Sequence, residues 1–135
     1  MSYVSGRLRR WALGLAGLLA LAGPVFAFAF TGLESFALLE PGQWQLRDST
    51  GAPRSICVRD PTQFIQLEHA GISCSHQFVA DNHAGVIVQY YCPGRDHGRT
   101  SIRVETPRLA RIATWGLIDG RPFSYRVLAQ KVGSC

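Results

Sequence analysis

From residue 41 onward, apolar and polar residues alternate in short runs, with the period of two that is typical of β-strands. In QWQLR, for example, Trp44 and Leu46 share one face and the glutamines share the other. About seven such runs follow one another at roughly 8–12-residue spacing, separated by turn signals such as Asp119-Gly120. We therefore expect a mainly β domain: a small antiparallel meander sheet, curled or partly closed into a barrel.

One segment departs from this alternation and predicts a short helix. In RDPTQFIQLEHAG, Asp60 is a good N-cap, Pro61 fits the first helical position, and Gln63 completes a capping-box pattern. Gly71 can supply the left-handed residue that ends a helix. We expect this helix of about two and a half turns to lie across one end of the sheet.

The first 29 residues have the features of a secretory signal peptide. A basic start containing Arg7, Arg9 and Arg10 precedes a Leu/Ala-rich apolar run that ends in small residues. Cleavage is expected after Ala29, with Ala27 and Ala37 as alternatives. The chain then divides into a signal peptide (1–29), an apolar lead-in or tether (30–40) and a β domain (41–135). The alternative is an uncleaved membrane anchor, because the run from Trp11 to Phe30 carries no charge.

Removing the signal peptide changes the meaning of the charge. The whole chain carries +5, but without its first three arginines eleven basic side chains face nine acidic ones, a net charge of +2. So small a value predicts neither nucleic-acid binding nor a polybasic membrane patch. A membrane contact is then expected only through the signal segment, if it stays uncleaved.

All four cysteines lie after the signal segment, at positions 57, 74, 92 and 135. An even number in an exported chain predicts two disulfides, and the absence of any C-x2-C pair argues against a zinc site. We expect Cys57–Cys74 and Cys92–Cys135, which would bind the short helix to the sheet. The rival is a cross-strand Cys74–Cys92 bond, because a hairpin turn centred on His83 would place these two cysteines opposite each other.

The sequence offers no recognisable catalytic constellation. There is no G-x-S-x-G motif and no Gly-rich phosphate loop, and the acids after the signal segment occur singly. The histidines form no H-x-H or H-x3-H pair; they are His69, His76, His83 and His97. We therefore expect a non-enzymatic protein with no catalytic residue, metal or cofactor. The candidate contact surface comprises the tyrosine pair and the arginines that follow it: Tyr90, Tyr91, Arg95 and Arg99.

The succession LEPGQWQLRD, ICVRDPTQF, SC, YYC and VGSC resembles a family of small exported bacterial proteins called domain of unknown function 3617. The resemblance covers roughly residues 39–135. It implies that Pro41, Gly42, Trp44, Gly133 and the four cysteines are framework residues, and it implies no catalytic residue.

Two functional classes follow from these observations. The first is a periplasmic or secreted binding module of the cell envelope, whose partner is an envelope protein, a lipid or a wall fragment. The alternative is a periplasmic inhibitor of a wall-degrading enzyme such as lysozyme, because VQYYCPGRDHGRTSIRV has the strand, Cys, Gly-loop, strand order of the small β-barrel lysozyme inhibitors. The scarcity of lysine beside many arginines is typical of a high-GC Gram-negative bacterium.

Overall fold

A computed structural model describes residues 36–82 and 85–135. The predicted signal peptide, its cleavage sites at Ala27 and Ala29, and most of the lead-in lie outside the described residues. In the described part, no helix is long and apolar enough to cross a membrane.

The fold is a single sheet of seven antiparallel strands, which confirms the predicted meander. The strands are β1 (Gly42–Arg47), β2 (Arg54–Val58), β3 (Ser75–Asn82), β4 (Gly85–Tyr91), β5 (His97–Thr106), β6 (Leu109–Ile118) and β7 (Arg121–Gly133). Their order is β2-β1-β7-β6-β5-β4-β3, so the sheet is open, with β2 and β3 at its two edges. The predicted closure into a barrel does not occur among these strands.

Hairpin turns connect the strands where the sequence places turn residues. Asp119 and Gly120 both have positive φ values, 51° and 72°, as the tight turn between β6 and β7 requires. The register of β3 and β4 pairs Asn82 with Gly85, so two residues connect them. The conformation of those two, the predicted turn at His83, lies outside the described residues.

The predicted short helix is instead two separate 3-10 turns, Pro61–Phe64 and Leu67–His69. The predicted capping box is present: the Asp60 carboxylate accepts from the Thr62 amide at 2.8 Å, and the Gln63 side chain accepts from the Asp60 amide at 3.1 Å. The continuous helix is interrupted at Gln66, whose φ and ψ of −126° and 53° are not helical.

The connection between β2 and β3 covers one face of the sheet. We call residues 59–74 the cover segment, the face it covers the inner face, and the opposite one the outer face. Because β2 and β3 are opposite edges, this segment has to cross the whole sheet. Phe64 packs edge-on against Trp44 with ring centroids 5.0 Å apart, and the Thr100 hydroxyl donates to the Ile65 carbonyl at 2.5 Å. The core therefore lies between one sheet face and an irregular segment.

The two disulfides are Cys57–Cys135 and Cys74–Cys92, so the preferred sequence-based pairing is wrong and its cross-strand rival is right. Cys57 is on edge strand β2, whereas Cys74 precedes β3 at the other edge, so these two cannot meet. Strand β7 returns beside β1, where Gln43 pairs with both Cys57 and Gly133, and this brings Cys135 to Cys57. Two disulfides indicate an oxidising compartment outside the cytoplasm.

Residues around the start of β1 hold Leu39 and Glu40 against the sheet. Gly42 has a φ of 149°, and a β-carbon there would collide with the Gly133 carbonyl and the Lys131 side chain. Leu39 is buried in the core, and the Trp44 indole donates to the Glu40 carbonyl at 3.0 Å. The packed domain therefore includes residues just before position 41.

Candidate functional site

The four predicted contact residues do not share one surface. Tyr91 is 51% exposed on the outer face, Arg99 is on the same face of β5, and Arg95 is exposed in the loop before it. Tyr90 is fully buried, because its side chain points to the inner face. Its assignment to a contact surface is therefore wrong, since neighbouring residues of a strand face opposite sides.

Tyr90 belongs to a buried polar cluster beneath the cover segment. Its hydroxyl lies 3.1 Å from Nδ1 of His69, whose Nε2 faces the Asp96 carboxylate at 3.6 Å. Burial raises the pKa of the Tyr90 hydroxyl to about 12, and a hydrogen bond with Thr114 opposes this shift. The His69 side chain is fully buried, so no substrate reaches it, and the cluster holds the cover segment on the sheet.

The loop between β4 and β5 carries the resemblance to lysozyme inhibitors. Its one acid, Asp96, accepts a hydrogen bond from the Asp119 amide at 3.0 Å and turns its other oxygen toward His69. The carboxylate thus connects this loop to the β6–β7 turn, and it does not project from the loop tip. The inhibitor function stays a sequence-based prediction, which a lysozyme inhibition assay would test.

A cavity of about 270 Å³ opens beside the start of β2. Its charged groups satisfy one another or the backbone: Arg54 pairs with Glu68 at 3.4 Å, and the Asp48 carboxylate accepts from the amides of Thr50 and Gly51. Burial raises the pKa of the Tyr125 hydroxyl on its wall. Because the charges are already paired, this cavity is a weaker candidate than the outer face.

The outer face concentrates positive charge. Five arginines on four neighbouring strands point to it: Arg47, Arg99, Arg103, Arg111 and Arg126. Of the acids on the described strands, only Glu105 lies on this face. The net charge of +2 does not reveal this concentration of positive charge, because the other acidic residues lie away from the outer-face strand positions.

Strand register arranges these side chains in rows across the sheet. One row joins Arg47, Leu128, Arg111 and Arg103, on β1, β7, β6 and β5 respectively. The next joins Arg126, Ala113 and Ser101. Adjacent strands lie about 4.8 Å apart. Arg103 and Arg111 therefore stand side by side in the first row, and Arg126 lies on the strand next to Arg111, in the second row.

A groove of about 340 Å³ runs across β5, β6 and β7 between these two rows. Small side chains, Ser101 and Ala113, leave room along the second row, while arginines stand around it: Arg103, Arg111 and Arg126. We call these five residues the arginine groove. Trp115, which is 51% exposed, lies on the outer face between Arg99 and Ser124, one row beyond the groove.

The charges of the groove are only partly neutralised. Glu105 accepts from Arg111 at 3.0 Å and lies 3.7 Å from Arg103. Arg126 makes no ion pair with any residue of the described chain. The groove therefore combines open space, the unpaired guanidinium group of Arg126 and, beside it, an accessible indole ring, which suits it to bind an anion.

Of the five outer-face arginines, sequence reasoning identified only Arg99, and it also missed Trp115. The usable signal was the alternation itself, since each of these residues occupies the polar positions of a strand whose apolar positions form the core. Consecutive hairpins bring together the residues on β5, β6 and β7, and only Arg47 needs the pairing of β1 with β7, which joins distant parts of the chain.

Comparison with family models, curated proteins and solved structures finds no match for this chain. In residues 36–82 and 85–135, no three His, Cys, Asp or Glu side chains come together as a metal site. Membership of the four-cysteine family therefore stays a prediction from the sequence motifs.

Proposed function

We propose that this protein is a non-enzymatic binding module of the bacterial cell envelope, exported to the periplasm by a cleaved signal peptide. The observation that carries the proposal is the arginine groove, on the sheet face that the described residues leave exposed. The inner face is occupied by the cover segment, and its hydroxyls on Thr100 and Tyr90 are bonded within the protein, whereas His69 Nε2 and the Tyr125 hydroxyl are buried without a hydrogen-bond partner in the described chain. The outer face is therefore the one that we propose meets a partner.

The disulfide framework supports the same proposal. A rigid sheet with a bond at each edge holds side chains at fixed spacing, which reduces the entropy lost when a partner binds. A binding surface needs this rigidity, whereas an enzyme also needs an enclosed site. The motifs shared with domain of unknown function 3617 lie in the framework, and we propose that the chain belongs to that family.

Envelope retention in the native host tests the proposal. Cells producing the protein are opened gently, and the fraction that sediments with the envelope is compared with the soluble exported fraction. We expect the natural protein to sediment with the envelope and Arg103→Gln/Arg126→Gln to move to the soluble fraction. The double variant leaves Glu105 bonded to Arg111, so the sheet surface keeps its strongest ion pair.

The matched control is Arg59→Gln/Arg121→Gln, which removes the same charge from exposed positions that do not line the groove. This control variant should sediment with the envelope, as the natural protein does. Equal release of both double variants would show that net charge alone retains the protein, and a soluble natural protein would contradict an envelope-binding function.

A further inference from the structure

We infer that the ligand of the arginine groove is an acidic polysaccharide, a linear sugar polymer bearing repeated carboxylate groups. The inference rests on the proposed function, since it names the ligand class of the same face. It is argued from the donors, from the shape of the groove and from the ring beside it.

The donors around the groove favour planar oxyanions. A guanidinium group forms two parallel hydrogen bonds to a carboxylate, which an ammonium group cannot do with the same geometry. All five cations on the outer face are arginines, and the single lysine of the chain, Lys131, is bonded to Glu40 at 2.8 Å. The face therefore suits groups that accept a guanidinium fork, such as the carboxylates of an acidic polymer; phosphate groups accept it too, and the anionic vesicles in the test represent them.

The distribution of the donors favours a polymer. Arg126 lies on β7 at one side of the groove, Arg103 on β5 at the other, and Arg111 on the strand between them. A small anion would occupy one of them, whereas a chain with repeated acidic groups can reach several at once. Once one acidic group is bound, each further contact forms within the same complex. The affinity then rises without a second loss of translational and rotational freedom.

The shape of the groove and its neighbour favour sugars over a membrane. Its middle is recessed because Ser101 and Ala113 are small, so a flat bilayer would not reach between the arginine stems. Beside it, Trp115 is a single flat ring against which the apolar side of a sugar can pack. Insertion into lipid needs several protruding apolar residues, whereas around the groove Trp115 is exposed and its apolar neighbours Leu128 and Ile87 are half-buried.

Glu105 makes the inference sharper, because it competes for the same donors. It holds Arg111 at 3.0 Å and lies 3.7 Å from Arg103, so an incoming carboxylate has to displace or join it. Its removal should strengthen binding of an acidic polymer, since both arginines then face the groove without an internal partner.

The experiment is titration calorimetry of the exported protein with alginate, a polymer of uronic acids, with neutral dextran as the comparison. We expect alginate to bind with an affinity that falls as salt is added, and dextran not to bind. Arg103→Gln/Arg126→Gln should weaken binding by about tenfold per arginine, given about 1.5 kcal/mol for a charged hydrogen bond. Arg59→Gln/Arg121→Gln should change it by less than about threefold, as expected of distant charges screened by salt.

Glu105→Gln should bind alginate about threefold to tenfold more tightly, as removal of a competing ion pair predicts. Its matched control is Asp119→Asn, which removes one exposed negative charge at the β6–β7 turn, where asparagine also tolerates the positive φ. Equal tightening in both variants would overturn a local role for Glu105 and reduce the effect to net charge.

Vesicles containing anionic lipid are the last ligand to be tested for binding. Binding to vesicles without binding to alginate would overturn the polysaccharide inference and assign the groove to the membrane surface. If alginate does not bind but the arginine double variant still leaves the envelope, the inference fails and the proposed function stands. If neither effect is seen, both fail.

Discussion

The two faces of the sheet are made by the same strands and serve different ends. On the inner face, polar groups such as Thr100 and Tyr90 are buried and bonded within the protein. On the outer face, Arg126 stands in solvent without an ion-pair partner among the described residues. Adjacent residues of one strand therefore differ in role: one contributes to stability, and the next belongs to the face that we propose binds a partner.

The largest test of this division uses the two tryptophans of the sheet. Trp44 is fully buried against Phe64, so Trp44→Ala should reduce the free energy of unfolding by about 3–5 kcal/mol. Trp115→Thr on the outer face should change it by no more than about 1 kcal/mol. Denaturation in urea with the disulfides intact measures both. Equal losses would mean that the outer ring is also part of the core.

The adjacent tyrosines test the division by pH. The Tyr90 hydroxyl has its pKa raised by burial to about 12, against about 10 in an unfolded chain. The native state thus keeps a proton that the unfolded state loses, so stability is full below pH 10 and falls as pH rises toward 12, by up to about 3 kcal/mol. Burial raises the pKa of Tyr125 as well, which acts in the same direction.

Tyr90→Phe should make the loss of unfolding free energy above pH 10 shallower, as measured by urea denaturation at several pH values. Tyr91→Phe is the matched control, because it removes a hydroxyl from the exposed ring next in sequence. A steep alkaline loss that persists unchanged in Tyr90→Phe would contradict this explanation.

A smaller effect is expected at neighbouring hydroxyls of β5. Thr100→Val keeps the shape of the side chain but leaves the buried Ile65 carbonyl without its donor, which should cost about 1–3 kcal/mol. Ser101→Ala on the outer face should stay within about 0.5 kcal/mol. Thermal unfolding compares the two, and a larger loss for the serine variant would reverse the assignment of the faces.

The smallest effect on stability should come from the arginine groove itself. Arg103→Gln/Arg126→Gln removes two exposed charges, one of which has no ion pair in the described chain, so unfolding free energy should change by less than about 1 kcal/mol. The same variant should lose most of its envelope retention. A variant that unfolds easily would show that the outer face contributes to stability, and it would remove the contrast between the faces.

Particular residues show what the sequence could predict. Alternation placed Trp44 and Leu46 on one face, which the structure buries in the core, and local chemistry predicted the turn at Asp119-Gly120 and the capping box at Asp60. The break at Gln66 was not predictable from local signals, because the Gln66 side chain meets His76 of β3 at 2.8 Å and the adjacent Ile65 carbonyl accepts from Thr100 of β5. Tertiary contacts of this kind override helix propensity.

The disulfides and the position of Arg47 depend on strand order, which alternation does not encode. Cys57 meets Cys135, and Arg47 joins the arginine row, only because β1 pairs with β7. The pairing of Cys74 with Cys92 is local to one hairpin, and it was correctly considered as the rival. Long-range pairing thus limited the prediction of the disulfides and of the position of Arg47, whereas the groove itself lies on consecutive hairpins.

The position of β7 between β1 and β6 also sets an order of assembly. Strands β3 to β6 can pair as each emerges, since every hairpin joins neighbours in sequence. The β1–β2 hairpin has no sheet to join until β7 arrives, and the bond that fixes it links residues 78 apart. Such distant contacts form slowly. Until then Trp44 is not buried in the core. We therefore expect the N-terminal part of the domain to be the last part protected from solvent during folding.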